Sequence, residues 1–166
     1  MNSQSLLAEL PRLRRYARAL IGERAAADDL VQDTLERAWT RAGQRQREGE
    51  LRPWLFAIMH NLRMDQLRQA KPELAPFEEE LEQVPARATQ SDGIELADLA
   101  ARLQRLPEEQ RAVLLLVGLE EMTYAEVAST LGIPLGTVMS RLARGRERLR
   151  QLLAEMPANP CLRVVR

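Results

Sequence analysis

The stretch Thr123-Tyr124-Ala125-Glu126-Val127-Ala128-Ser129-Thr130-Leu131-Gly132-Ile133-Pro134-Leu135-Gly136-Thr137-Val138-Met139-Ser140-Arg141-Leu142 decides the fold. Thr123 and Glu126 have the spacing of a capping box, in which a hydroxyl and a carboxylate satisfy the free amides of a helix start reciprocally. The helix opened there ends at Gly132, Ile133-Pro134 turns the chain, and a long final helix runs from about Leu135 to Leu153. Two helices about a short glycine-bearing turn have the proportions of a DNA-binding helix-turn-helix. Ala128 is small where the helices would cross, Gly132 supplies backbone freedom, and Val127, Leu131, Val138 and Leu142 would fill the seam. Thr137, Ser140, Arg141, Arg144 and Arg148 fall on the outward face, and Arg141–Arg150 holds five arginines against Glu147. Such side chains pair with phosphates and guanine edges in a major groove. Taken alone, the same stripe also suits a solvated helix of an ordinary bundle.

Working outward, the remaining segments are helical too. Leu96, Leu99, Leu103 and Leu106 mark a short helix stopped by Pro107, and Glu108 to Leu119 forms another with acids at its positive end. Near the start, Leu6, Leu10, Leu13, Ala17 and Leu20 recur at steps of three and four in a helix ending near Gly22. A second runs from about Ala26 to Arg41 with Val31, Leu35 and Ala38 on one face. A third opens near Pro53, with Leu55, Ile58 and Leu62 inward. No alternation of apolar and polar residues marks a strand.

Between these sets, Pro72 to Asp98 carries eight acids against Arg87 alone, punctuated by Pro72, Pro76, Pro85 and Gly93. That composition describes a linker. The expected architecture is all-α: a helical domain over 1–71, an acidic flexible linker over 72–93, a second helical domain over 94–155 and a loose tail over 156–166. Each half is small enough to leave apolar grooves for a partner to cover.

Composition narrows the function classes. Basic and acidic residues balance at 24 each in 166 residues, and every basic residue except Lys71 is arginine. One cysteine, Cys161, excludes an internal disulfide, and one histidine, His60, speaks against a His/Cys metal cluster. No run approaches eighteen apolar residues, and Met1–Leu7 lacks the basic flank of a secretory signal, so a soluble cytoplasmic protein without membrane insertion is expected. Neither a phosphate-binding glycine loop nor a nucleophile elbow is present. The expectation is a non-enzyme without metal or cofactor.

Two faces of the first domain carry binding chemistry. Asp29, Asp33 and Glu36 line one side of the second helix, with Asp28 and Gln32 beside them. Like charges so spaced cost an isolated helix roughly 0.2–0.5 kcal/mol per pair; Asp28 and Asp29 are expected to recover part of this at the helix N-terminus. The face is either solvated or a docking surface for a basic partner. On the third helix Trp54, Asn61, Asp65 and Arg68 share a side, and Arg41, Arg45, Arg47 and Arg52 flank the preceding loop. An aromatic, an amide and arginines together can hold unpaired bases, although Trp54 also suits a core position.

These residues are similar to a known family. Asp28-Asp29-Leu30-Val31-Gln32-Asp33 with Arg37-Ala38-Trp39, then Leu51-Arg52-Pro53-Trp54-Leu55 and His60-Asn61-Leu62, resemble region 2 of an extracytoplasmic-function (ECF) sigma factor. Leu106-Pro107-Glu108-Glu109-Gln110-Arg111, Thr123-Tyr124-Ala125-Glu126-Val127-Ala128 and Gly136-Thr137-Val138 with Ser140-Arg141 resemble region 4. Leu10–Leu20 and Ile58-Met59-His60-Asn61 resemble the general-stress branch.

The resemblance implies a transcription initiation subunit that takes core RNA polymerase to particular promoters under stress, held by an anti-sigma factor. It implies that Asp28, Asp29, Gln32, Asp33 and Glu36 bind core polymerase at the β′ clamp helices, and that the β subunit is a further partner of the chain. It also implies that Arg41, Arg45, Arg47, Arg52, Asn61, Asp65 and Arg68 serve the −10 element, with Asn61 lining the pocket of a flipped base. Thr137, Met139, Ser140, Arg141, Arg144 and Arg148 would serve the −35 element, and the acidic linker would thread the polymerase channels. The sequence departs from the family in the Gly43–Gly49 loop, which lacks an aromatic residue, and at Met139, where relatives often carry arginine or lysine. A sigma-like decoy that sequesters an anti-sigma factor is the alternative.

Overall fold

A computed structural model describes residues 3–44, 50–70 and 91–155. Arg45, Arg47, most of the acidic linker and the tail with Cys161 lie outside the described residues. Seven α-helices and no strand occur among them: α1 (Ser3–Ile21), α2 (Arg24–Thr40), α3 (Leu51–Ala70), α4 (Ser91–Gln104), α5 (Glu108–Gly118), α6 (Tyr124–Leu131) and α7 (Leu135–Ala154).

Several boundaries differ from the sequence reading for identifiable reasons. Glu23 caps α2 by accepting from the amides of Ala25 and Ala26, both at 2.7 Å, so the helix starts at Arg24. Asp28 and Asp29 therefore sit beyond the first turn, and Asp28 is neutralised by Arg18 at 3.3 Å and Arg24 at 3.9 Å instead of by the helix dipole. α3 begins at Leu51, which makes Pro53 its third residue, still within the turn whose amides need no intrahelical partner. α4 begins at Ser91, so Asp92 and Gly93, placed in the linker, belong to the helix expected to start after them. At Asp98 the charge is held one turn on by Arg102, at 3.1 Å.

In the first half, α1, α2 and α3 bury Leu13, Tyr16, Ala17, Leu30, Leu55, Phe56 and Met59. The Tyr16 and Phe56 rings meet edge to face, 5.1 Å apart and 81° between planes. In the second, α5 and α7 pack around Val113, Leu116, Val127, Val138 and Leu142. Gly145 lets these helices close up, since a Cβ there would lie 2.9 Å from the Leu114 side chain.

The two helical sets of the all-α fold pack directly on each other. Both sets of side chains belong to one continuous core, with α1 against α4 and α5 and α3 against α6. The polar seam between the halves is specific. Glu120 is fully buried, accepts from Arg15 at 2.8 Å and 3.3 Å, and faces Arg12 at 3.7 Å. Arg63 of α3 holds Glu108 of α5 through two hydrogen bonds of 2.7 Å and 3.0 Å. Most telling is the end of α1, whose last carbonyls lack intrahelical donors. Gln104 donates to Ala19 O at 2.8 Å and Arg111 donates to Leu20 O at 2.7 Å, so the second half caps a helix of the first. Gly22, at φ +82°, turns the chain away directly beneath Gln104, where a Cβ would come within 2.7 Å.

Candidate nucleic-acid interface

The helix-turn-helix forms as its sequence dictates. Thr123 Oγ1 accepts from the Glu126 amide at 3.3 Å while the Glu126 carboxylate accepts from the Thr123 amide at 2.6 Å. These Thr123 hydrogen bonds, backbone first, hold the Glu126 carboxyl below its ordinary value, with Arg52 adding a smaller pull. Gly132 closes α6 in the left-handed conformation (φ 65°, ψ 37°), its amide bonded to Ala128 O. Val127, Leu131, Val138 and Leu142 are buried in the seam.

Met139, Ser140, Arg144 and Arg148 lie exposed on the outer side of α7, and Thr137 is half-buried at its margin. The Ser140 hydroxyl donates to Thr137 O at 3.1 Å. Among the described residues Arg144 and Arg148 make no ion pair, so their guanidinium groups stand open to a polyanion. Arg141 differs. Its side chain turns back to Glu109, at 3.2 Å, and retains a quarter of its exposure.

On α3, Asn61, Asp65 and Arg68 are exposed on one side, with Arg68 bonded to Asp65. Trp54 leaves this group and packs, half-buried, against the core. Arg52 is half-buried near Glu126 of α6, and its Nε has no hydrogen-bond partner among the described residues, whereas Arg41 is exposed. His60 lies between the halves; burial lowers its pKa, Glu108 and Glu109 oppose that, and Arg141 reinforces it.

On α2, Asp29, Gln32, Asp33 and Glu36 are exposed, and Gln32 donates to Glu36 at 3.0 Å. Beside them is an apolar pocket of about 240 Å³ lined by Leu6, Leu7, Leu10, Leu35 and Trp39. Leu7 and Trp39 are 64% and 58% exposed. The acidic face thus borders the exposed apolar side chains of Leu7 and Trp39, a combination suited to macromolecular contact.

Two family models match the chain in this order: the Sigma2 domain of PhyR over residues 6–60 and Sigma-70, region 4, over residues 96–149. The chain is 36% identical over 152 residues to the ECF RNA polymerase sigma factor EcfG of Rhodopseudomonas palustris (strain TIE-1), covering 89% of this chain and 82% of that protein. The chain belongs to the ECF RNA polymerase sigma factors. Among solved structures, the sigma factor RpoE of Bartonella quintana, in complex with the anti-sigma factor NepR, is similar at 34% identity. Its TM-score is 0.72, covering 93% of this chain and 97% of that one. CnrH, in complex with the cytosolic domain of CnrY, is 27% identical with a TM-score of 0.69, covering 93% and 92%.

Sequence reasoning missed three parts of this sigma factor. Trp39 stands out in the sequence only as part of the Arg37-Ala38-Trp39 motif, and its exposure beside Leu7 does not, because helix periodicity does not show which face a neighbour leaves uncovered. Glu120 sits in a loop that looks solvated. Gln104 and Arg111 give no local signal, since their partners lie 85 and 91 residues away. Among the described residues no helix is long and apolar enough to cross a membrane, and no group of three or more His, Cys, Asp or Glu could hold a metal ion.

Proposed function

We propose that this ECF sigma factor directs core RNA polymerase to particular promoters in a stress response and is held inactive by an anti-sigma factor. The observation that carries the reading is the helix-turn-helix whose outer face presents Ser140, Arg144 and Arg148, without an acidic partner among the described residues. In this reading α7 docks on the −35 element, with Met139 on the same outer face and Thr137 and Arg141 at its margins. Asn61, with Arg41, Arg45, Arg47, Arg52, Asp65 and Arg68 around it, takes the −10 element and captures an unstacked base, where each stacking contact is worth roughly 1–3 kcal/mol. The exposed Asp29, Gln32, Asp33 and Glu36, with Asp28 at the edge, meet a basic surface of the polymerase, the β′ clamp helices. That contact removes the like-charge cost these residues impose on the free helix.

The closed arrangement is the resting form in this reading. Elements centred about 25 base pairs apart are separated by roughly 85 Å at 3.4 Å per step, whereas Arg63 of α3 is bonded to Glu108 of α5. Residues 71–90 can reach at most about 70 Å when fully extended, enough with the helices themselves to bridge the gap once the halves part. The solved relative RpoE was captured with the anti-sigma factor NepR, which supports the same kind of control here.

In vitro transcription with purified core polymerase on a promoter library tests the reading. Selective starts that depend on an intact −35 element, weakened by about 1–3 kcal/mol in Arg144→Ala, are expected. For Asn61→Ala, polymerase binding persists while permanganate-reactive strand opening is lost. The match of region 2 to the Sigma2 domain of PhyR favours a second reading, a decoy that binds an anti-sigma factor without reading promoters. Capture of an anti-sigma factor with no gain in selective transcription would establish the decoy and displace the first reading.

A further inference from the structure

The N-terminal stretch of α7 differs in chemistry from the rest of the helix. Leu135 to Ser140 carries no charge, and the arginines begin only at Arg141. On its exposed side Leu135 and Met139 stand one turn apart, 48% and 52% exposed. Residues so spaced are surface neighbours, with Cβ atoms about 5–6 Å apart. Gly136, on the same side, has nothing within 4 Å of where a Cβ would project. The result is an apolar step with an open notch beside it, flanked by the Ser140 hydroxyl and the exposed Arg144.

Leaving two large apolar side chains in water, one turn apart, is unfavourable unless a partner covers them. In a helix-turn-helix, the first residues of the second helix meet base edges while residues further on meet the backbone. Of the four bases, thymine alone presents an apolar group in the major groove, its C5 methyl. A charged side chain here would favour phosphate or guanine; a thioether backed by an isobutyl group favours a methyl. The missing side chain at Gly136 lets the helix backbone come close enough for that contact.

We propose that Met139, supported by Leu135, reads a thymine C5-methyl group in the −35 element. The proposal rests on the promoter-binding reading above, and it specifies what the uncharged start of α7 is for.

The test uses the full chain assembled with core RNA polymerase. A −35 element is selected from a random-sequence library and remade with each thymine, on either strand, replaced singly by deoxyuridine, which lacks only the methyl group. At one position the replacement weakens binding about threefold to fourfold, the effect of one buried methyl. In Met139→Ala, which alters only an exposed side chain and leaves the fold intact by circular dichroism, that difference disappears. A selected element with no thymine on either strand overturns the proposal. So does equal binding of all deoxyuridine templates, or a thymine preference that persists in Met139→Ala. Those results would leave promoter reading standing and assign the apolar pair to a protein partner. Equal binding of intact and scrambled −35 elements would remove the promoter reading itself, and the proposal with it.

Discussion

Arg63 of α3 and Glu108 of α5 are joined by two hydrogen bonds, of 2.7 Å and 3.0 Å, with both side chains less than a fifth exposed. The pair locks the helix expected to open the −10 element onto the second half of the chain. A hydrogen bond to a charged group contributes about 1.5–3 kcal/mol. Arg63→Ala is therefore expected to shift the chain toward extended forms, seen as a larger radius of gyration by small-angle scattering, with helix content unchanged by circular dichroism.

Glu120 is fully buried, and Arg15, half-exposed, is its principal partner. Arg15→Ala strands the carboxylate beside the more distant Arg12. The expected loss is about 1–2 kcal/mol in urea unfolding, discounted for the exposure of Arg15. In a Glu120→Leu background the same substitution costs markedly less, and this double-mutant cycle isolates the pair.

Glu121 adopts φ 55°, the left-handed region, which lets its neighbours Glu120 and Met122 both point inward. For a residue with a Cβ this conformation costs about 1–2 kcal/mol. Glu121→Gly is expected to raise stability by about 1 kcal/mol, once the greater freedom of glycine in the unfolded chain is subtracted. Thermal unfolding measures it.

His60 gives the stability of the closed form a pH dependence. Its pKa in the fold lies below the ordinary 6.5 because burial disfavours the charged ring, with Arg141 adding to this and Glu108 and Glu109 opposing it. The unfolded chain therefore takes up the proton first as pH falls. Stability is expected to hold above about pH 7 and to decline below 6.5, and His60→Gln flattens that decline. Glu126 acts in a lower window, since its depressed carboxyl stabilises the fold above its ordinary 4.5 and loses that contribution as pH falls through its folded value.

The capping box yields a local prediction. Thr123→Ala removes the acceptor for the Glu126 amide and is expected to cost about 1 kcal/mol, while Thr123→Ser retains most of the stability. By NMR titration, the Glu126 carboxyl should rise only part of the way to its ordinary value in the alanine variant, which loses the hydroxyl hydrogen bond and keeps the stronger backbone one.

What could be read in advance, and what could not, follows the range of the interactions. Thr123, Glu126, Gly132 and the seam residues act within a few positions of one another, so the helix-turn-helix was visible in the residues themselves. The exposed faces of α2 and α3 were legible by the same helical spacing. Trp54 was not, because spacing gives a direction and the neighbouring helix decides whether that direction is core. The first turn of α4 was not legible either, because Asp92 and Gly93 continue the acidic, glycine-bearing composition of the linker. The closing of the two halves was hidden altogether. Its contacts join Arg15 to Glu120, Arg63 to Glu108 and Arg111 to Leu20, and no periodicity or motif links residues so far apart.

The way α1 ends has a consequence for the chain as a whole. Ala19 and Leu20 obtain their terminal donors from Gln104 and Arg111, so a helix made early in synthesis is finished only by residues made much later. Released from that distant support, the last turn of α1 must satisfy itself with solvent and will fray. The order of one half thus reports the whereabouts of the other, and any ligand that wedges them apart will be felt as softening some eighty residues upstream.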